Sequence, residues 1–391
     1  MNNLKALKKT VYYISFPFSL IGFLFPVYAH SVGVSVMELG LIYSAFSLFT
    51  ILMRPAVGLL IDRKGRKLGL VLGLFFYTLV NIFLLIGNDF KYLLAVRIFQ
   101  GIASSFLWIS VDTIISDISH EGNRSKNFGL IDESTNRGDI LGAFIGFTII
   151  FNNLFNNSFK VVFFIYLITS LISLFYGIFK VEETVSLKKS YVEEIIDNNK
   201  DFNIFLILMG LLAFISSLTG HIYLVYVKEN ITSELYLITY LFIPGAILST
   251  FLPKRFGKLS DRYDRRKILS LGILMLGILY LFISTAKKYY QFMLITILIT
   301  IASMLCGPAE SSLVIDVVGE NQRGKSYGKY KLALGIGGIL GPILGALIYE
   351  ELGSSWVFLI KGLMLIIMSI LTFKLIHVRT GLKDIKNVRE T

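Results

Sequence analysis

The chain has 391 residues, of which 54% are apolar and only 16% are charged. Soluble domains carry about 25% charged residues, so the composition excludes an ordinary soluble protein and indicates a membrane protein. The net charge of +12 comes from short Lys and Arg tracts between apolar runs, a pattern that sets membrane topology and argues against nucleic-acid binding. One cysteine and four scattered histidines predict neither a disulfide framework nor a bound metal.

Apolar runs long enough to cross a bilayer recur along the chain, because a helix of roughly 20 residues crosses about 30 Å of hydrocarbon. This rule predicts an all-α membrane protein with twelve transmembrane helices, six in each half. In chain order, the predicted spans lie near residues 10–31, 36–58, 68–87, 91–116, 127–151, 159–179, 202–227, 233–255, 268–286, 289–315, 327–349 and 355–377. The first span is expected to be a retained helix and not a cleaved signal peptide.

A charged segment separates the two predicted halves. We expect an N-terminal six-helix domain over residues 1–180, a cytoplasmic linker over 181–201 and a C-terminal six-helix domain over 202–391. Alternate connections, including both termini and the linker, are rich in Lys and Arg, whereas the opposite set carries few. By the positive-inside rule, the protein is predicted to be multi-pass in the cell membrane with both termini cytoplasmic.

A short basic sequence occurs twice. Residues 58–67 read GLLIDRKGRK, and residues 257–267, starting 199 positions later, read GKLSDRYDRRK. The same spacing aligns Asp117 with Asp316. Because both basic loops must face the same side of the bilayer, each repeat holds an even number of spans, and the halves are predicted to be parallel repeats.

The repeated loop resembles the signature of the major facilitator superfamily, glycine followed by Asp-Arg-x-Gly-Arg-Lys. The resemblance implies two six-helix domains around a central cavity, transport by alternating access, and a cytoplasmic gate between the halves. Gly58 would allow close helix approach, and Asp62 could accept from the N-terminal amides of a facing helix near Ser326. The predicted gate residues are Gly58, Asp62, Arg63, Arg66, Asp261, Arg262 and Arg265. The alternative is a basic loop that only sets topology.

The second copy departs from this pattern at one position, where Asp264 replaces the glycine. Asp tolerates left-handed backbone better than most residues. The sequence therefore predicts that the turn survives in the second copy.

The fourth span reads L-x-x-x-R-x-x-Q-G over residues 93–101, which resembles a second superfamily motif, associated with proton-coupled drug antiporters. One helical stripe contains Arg97, Gly101, Ser104, Trp108 and Asp112. A polar stripe along an apolar helix is expected to face a cavity. The alternative is that Arg97 snorkels outward and Asp112 snorkels toward the cytoplasm.

The fifth span carries charge that the second half lacks, since Glu133, Arg137 and Asp139 align with apolar residues or glycine. Glu133 and Arg137 are four residues apart and can pair. Unrepeated charge in a repeated scaffold predicts a site, whereas a network that only fixes helix register is the alternative. Glu310 in span ten is a further candidate proton acceptor, or lies at a water-exposed rim. The predicted substrate and proton pathway comprises Arg97, Gln100, Asp112, Glu133, Arg137, Asp139 and Glu310.

Two further patterns have ordinary explanations. Gly138, Gly142 and Gly146 resemble part of a superfamily antiporter motif, but small residues every four positions also form helix-packing surfaces. Residues 319–326 read GENQRGKS and match the phosphate-binding loop. Their flanks are predicted membrane helices and not a strand and a helix of a parallel sheet, so no nucleotide and no other cofactor is expected.

These features predict a secondary active transporter, not an enzyme, that moves a small molecule by alternating access. Abundant aromatic residues and buried carboxylates favour proton-coupled efflux of amphipathic or cationic compounds. One alternative is proton-coupled uptake of a small polar or anionic metabolite, with Arg97 or Arg137 pairing the substrate. A membrane sensor or scramblase is the alternative outside transport. The expected partners are the substrate, protons and membrane lipid, and the functional form is expected to be a monomer.

Overall fold

The computed structural model describes residues 2–119, 124–184, 200–318 and 323–376, and every regular element among them is helical. The α-helices are α1 Asn2–Ile14, α2 Phe25–Ser31, α3 Val36–Lys64, α4 Arg66–Ile86, α5 Phe90–Ile118, α6 Arg124–Phe151, α7 Ser158–Lys180, α8 Lys200–Ser217, α9 Ile222–Asn230, α10 Leu235–Tyr240, α11 Ile243–Arg262, α12 Arg265–Ile283, α13 Tyr289–Val318, α14 Arg323–Leu352 and α15 Ser354–Leu375. A π-helical turn, Leu20–Leu24, precedes α2.

The chain divides into two compact units, Met1–Tyr191 and Val192–Thr391. Each unit has an apolar core of its own, which includes Leu74 and Leu107 in the first and Phe205 and Leu365 in the second. Residues 181–184 of the predicted linker pack on the first unit, where the Val181 side chain is buried.

Nine segments of the described chain are long and apolar enough to cross a membrane, and one of them, Lys200–Asn230, comprises both α8 and α9. The three remaining predicted spans are the first, which is divided between α1, the π-helical turn and α2, the eighth, which is divided between α10 and α11, and the fifth. The fifth, α6, is continuous but strongly charged between Asp132 and Asp139. The predicted all-α membrane fold is confirmed, and the spans that fall short do so because of breaks or charge.

Glycines allow two pairs of helices to come close together. A Cβ atom on Gly142 of α6 would lie 2.1 Å from the carbonyl oxygen of Phe16, two residues after the end of α1. In the second unit, a Cβ atom on Gly345 of α14 would lie 1.9 Å from the carbonyl oxygen of Leu218. Backbone atoms cannot move aside as flexible side chains can, so glycine is required at both positions. The structure therefore supports the helix-packing explanation for these glycines.

The two copies of the basic loop turn differently. Gly65 joins α3 to α4 with a φ of +112°, a conformation that favours glycine. Asp264 has a φ of −58° and instead caps α12, its carboxylate accepting from the N–H of Arg266 at 3.0 Å. The prediction that Asp264 preserves the left-handed turn is wrong, because the aspartate gains a capping hydrogen bond in an ordinary conformation.

Candidate functional site

Arg97 lies inside the first unit, on α5, with only 4% of its surface exposed. Its guanidinium carbon is 4.2 Å from the ring centre of Phe25 and 4.3 Å from that of Tyr43. The guanidinium donates to Gln100 Oε1 at 2.9 Å and to the carbonyl oxygen of Ile21 at 3.4 Å. Burial on this scale excludes the outward-snorkelling alternative for Arg97.

The charge of Arg97 is balanced by aromatic faces. Among the described residues, no carboxylate lies within the 4.0 Å of an ion pair with this guanidinium, and its Nε atom has no hydrogen-bond partner. Desolvated cation–π contacts contribute about 2 kcal/mol or more. Arg97 is thus a buried cation beside the π-helical turn, and it could attract an anion or repel a cation that enters this region.

The polar stripe predicted on α5 does not form one surface. A Cβ atom on Gly101 would lie 2.7 Å from the carbonyl oxygen of Phe46, so this part of α5 packs closely on α3. Asp112, farther along the helix, is exposed. The expectation that the whole stripe faces one cavity is wrong, because its Arg97 end supplies packing and only its Asp112 end reaches the surface of the unit.

Asp139 binds the backbone at the break in the first span. Pro17 lies at this break, and Phe18 donates its N–H to the carbonyl of Ser15 at 3.0 Å, a tighter bond than an α-helix makes. The N–H of Ser19 is thereby released from the helical ladder. It donates instead to Asp139 Oδ1 at 2.5 Å. The half-buried Asp139 side chain therefore completes the backbone hydrogen bonding of the interrupted helix.

The other unrepeated charges of α6 lie elsewhere on the unit. Arg137 and Glu133 form the ion pair predicted from their spacing, with 2.5 Å between nitrogen and oxygen. Their side chains are 71% and 43% exposed, respectively. This pair and Asp139 do not form one cluster, because the pair is on the surface of the unit and Asp139 contacts Ser19.

In the second unit, Glu310 lies on α13 and is half-buried. Its Oε1 atom accepts a hydrogen bond from the hydroxyl of Tyr330, on α14, at 2.5 Å. The Tyr330 ring stacks on Phe205 of α8, with 6.1 Å between ring centres. Glu310 is thus a carboxylate that links two spans through a tyrosine, and a proton on it would change that link.

Lys361 is a buried cation that the sequence analysis did not select. It lies on α15, with 4% exposure, and donates to the carbonyl of Ser216 at 3.1 Å and to Thr219 Oγ1 at 2.6 Å. Its ammonium is 4.1 Å from the ring centre of Tyr280. A lone lysine within an otherwise apolar predicted span is itself a signal, since charge inside a membrane segment is costly unless it is used.

Lys361 and Asp139 occupy comparable roles in their own units. The first span of the second unit is interrupted after α8, which ends at Ser217, and Lys361 binds oxygens at that break. Asp139 binds the amide released at the break in the first unit. Each unit thus interrupts its first span and stabilises the interruption with one charged side chain from another span. The two charges are opposite in sign because one break exposes a donor and the other exposes acceptors.

The predicted gate residues of the first copy form a charged network within their own unit. Arg66 contacts Asp62 in an ion pair and lies 3.4 Å from Asp117 of α5. Glu183, which the sequence analysis did not select, accepts from the backbone N–H groups of Arg66 and Lys67 at 2.8 and 3.1 Å. Its carboxylate therefore caps α4, where the helix dipole favours negative charge.

Apart from Gly58, the remaining predicted gate residues are exposed, begin a helix, or have side chains that the structure does not describe. Among the described residues, no atom lies within 4 Å of where a Cβ on Gly58 would be, and the expected close helix approach at this glycine stays a prediction. Arg63 and Arg262 are exposed, and Arg265 begins α12. The side chains of Asp261 and Ser326 lie outside what the structure describes, as do residues 319–322 of the phosphate-loop match.

Comparison with known proteins identifies the family. The sequence model of the Major Facilitator Superfamily matches residues 13–256 and 255–390. An uncharacterized MFS-type transporter of Methanocaldococcus jannaschii is 24% identical over 363 residues, 90% of this chain and 93% of its own. The quinolone resistance protein NorA of Staphylococcus aureus is 24% identical over 327 residues, 83% of this chain and 84% of its own.

Solved structures share the fold. A bacterial homolog of the human lysosomal transporter Spinster has a TM-score of 0.75 at 16% identity, covering 97% of each chain. The human organic anion transporter MFSD10 has a TM-score of 0.67 at 16% identity, covering 95% of this chain and 99% of its own. With the family model matching both halves, this chain belongs to the Major Facilitator Superfamily and is a multi-pass membrane transporter.

Proposed function

We propose that this transporter is a proton-coupled antiporter that exports amphipathic or cationic compounds by alternating access. It would work as a monomer, with both termini cytoplasmic, and would use no enzyme chemistry. The observation that carries the proposal is the hydrogen bond between Asp139 and the backbone of Ser19. This bond connects a group that can take up a proton to the interrupted helix that would have to move.

Proton uptake would weaken this connection. An ionised carboxylate is a stronger acceptor than a neutral carboxylic acid, so protonation of Asp139 would loosen the break in the first span. Half-helices that bend at such breaks are a recurring device in secondary transporters. Glu310 offers a second protonation point in the other unit, through its bond to Tyr330. Exposed Asp112 is a third candidate carboxylate.

The proposed substrate class is supported by one relative. The similarity to a quinolone resistance protein favours export of aromatic, charged compounds.

Proteoliposomes with the membrane voltage clamped test the direction of coupling. The probe is ethidium, a permanent aromatic monocation that carries no proton of its own. An antiporter accumulates ethidium inside when the interior is more acidic than the exterior, whereas a symporter needs the reverse gradient. Accumulation driven by an acid interior and abolished by nigericin is the expected result. Accumulation driven only by an acid exterior would refute antiport.

Uptake of a small anionic metabolite is the second candidate, and one observation favours it. Two buried cations, Arg97 and Lys361, have no carboxylate within ion-pair distance among the described residues. Arginine and lysine in such surroundings can bind a substrate carboxylate or phosphate. If the gradient experiment shows no ethidium transport, the same vesicles can be assayed with radiolabelled small organic acids under an acid exterior.

A further inference from the structure

A cavity of about 380 Å³ lies at the end of the first unit where α1 begins and α7 ends. It is separate from the buried charges described above. The residues that line it are Lys5, Ala6, Lys9, Tyr176, Phe179, Lys180 and Glu182.

Hydrogen bonds along the sides of this cavity hold its walls together. The side-chain amide of Asn3 donates to the carbonyl of Glu182 and accepts from the N–H of Glu182, both at 3.1 Å. About two turns farther along α1, Ser173 Oγ donates to the carbonyl of Thr10 at 2.7 Å. Because α1 and α7 are fixed to each other on both sides, the cavity is preformed and a ligand would not have to order it.

The cavity carries a surplus of positive charge. Lys5 and Lys9 are four residues apart on one face of α1, about 6 Å along the helix, and Lys180 ends α7. Lys9 donates to the Tyr176 hydroxyl at 3.2 Å. Among the described residues, no carboxylate lies within ion-pair distance of these three ammonium groups, although Glu182 also lines the cavity. Charge complementarity therefore favours an anionic group with several oxygens.

Two exposed phenylalanine rings lie along α7 next to this charged cavity. The rings of Phe175 and Phe179 are 57% and 72% exposed and stack with 6.2 Å between their centres. Phe179 lines the cavity, and Phe175 lies one turn farther from the end of the helix, toward the middle of the predicted span. An acyl chain attached to a bound headgroup would lie against both rings, whereas free phosphate would use neither of them.

We propose that this cavity binds the phosphate-bearing headgroup of an anionic phospholipid, with an acyl chain along Phe175 and Phe179. Basic recesses between transmembrane helices at the cytoplasmic side are sites of this kind. Since α1 continues into the interrupted first span, a lipid held here stabilises the packing of α1 on α7. The site is independent of the transported substrate.

The test uses the purified full-length protein in detergent. Its thermal stability is measured during titration with phosphatidylglycerol, phosphatidylcholine or glycerol 3-phosphate, and retained lipid is counted by native mass spectrometry. The test variant is Lys5→Gln/Lys9→Gln. Its matched control is Lys91→Gln/Lys160→Gln, which removes the same charge from exposed lysines at the opposite end of the same unit. A third variant, Phe179→Ala, tests the acyl-chain contact.

Phosphatidylglycerol is expected to raise the melting temperature saturably, because a ligand of the folded state shifts its unfolding. The cavity variant should weaken the apparent affinity at least about tenfold, while the control stays near wild type. Phe179→Ala should weaken it by a smaller factor. Equal affinity in the cavity variant and wild type would overturn the proposal. So would a saturable shift with glycerol 3-phosphate that matches the lipid, since the site would then recognise a free phosphate ester.

Discussion

Asp139 Oδ1 accepts a 2.5 Å hydrogen bond from the backbone N–H of Ser19, the amide that the break at Pro17 removes from the first span. A carboxylate in this position has a structural role and a chemical role, and substitutions can separate them. The amide oxygen of asparagine can still accept from Ser19, but asparagine cannot bind a proton. Alanine can do neither.

Asp139→Asn is therefore expected to keep the fold and lose gradient-driven ethidium accumulation, while exchange of ethidium across the membrane continues. Asp139→Ala should in addition lower the free energy of unfolding by about 1–2 kcal/mol, because it leaves a part-buried N–H without its acceptor. Thermal unfolding and ethidium flux on the same preparations separate the two effects. Full accumulation by Asp139→Asn would show that the coupling proton does not use this carboxylate.

The close approach of α6 to α1 predicts that Gly142 tolerates no larger residue. The Cβ atom of Gly142→Ala would be 2.1 Å from the carbonyl oxygen of Phe16, and the backbones would have to separate. We expect a loss of about 1–3 kcal/mol in stability, the usual cost of overpacking. Gly307→Ala is the control, since no described atom lies within 4 Å of its added Cβ atom. Equal melting temperatures for the two variants would contradict the packing described for α1 and α6.

Much of this architecture follows from the sequence. Apolar length and the 199-residue repeat predict most span boundaries to within a few residues, since a helix must cover the bilayer in both copies. The exceptions include α1, which begins eight residues before the predicted first span, and α11, which ends seven residues after the predicted eighth. Interruptions within a span are harder to predict from the sequence. Pro17 marks the break in the first span, but the break after Ser217 contains no proline and depends on oxygens that Lys361 binds from a distant part of the chain.

The residue types at the candidate site could be predicted from the sequence, but the contacts that those residues make could not. Helical periodicity places Arg97 and Asp112 on one stripe, yet periodicity cannot show that the neighbouring helix covers only one end of it. The second-copy turn illustrates the same limit. Asp264 could adopt a left-handed turn or cap a helix, and the local hydrogen bond to Arg266 decides the outcome.

Lys361 is expected to stabilise the break in the seventh span. Lys361→Met keeps a similar length but leaves the Ser216 carbonyl and Thr219 without their cationic donor, which should cost about 1–3 kcal/mol. Lys287→Met, at an exposed position between α12 and α13, should change stability little. Chemical unfolding followed by circular dichroism measures both. A Lys361→Met protein as stable as wild type would mean that the ammonium is not needed for this break.

The network around Arg66 predicts a specific effect on turnover. Arg66→Gln would leave the carboxylates of Asp62 and Asp117 without the guanidinium between them, and like charges would then repel. Ethidium accumulation in energised everted membrane vesicles, into which an exporter pumps its substrate, should fall severalfold. Lys64→Gln, an exposed change of the same charge two residues away, should remain close to wild type. Equal rates in the two variants would indicate that this loop only sets membrane topology.

The most direct test of proton antiport is to count protons while the substrate moves. Proteoliposomes containing the pH dye pyranine, with voltage clamped by valinomycin and potassium and no pH gradient imposed, receive ethidium on the outside. We expect ethidium entry to drive protons out, so that the interior becomes more alkaline with wild-type protein and does not with Asp139→Asn. Ethidium entry through the wild-type protein at an unchanged interior pH would contradict it.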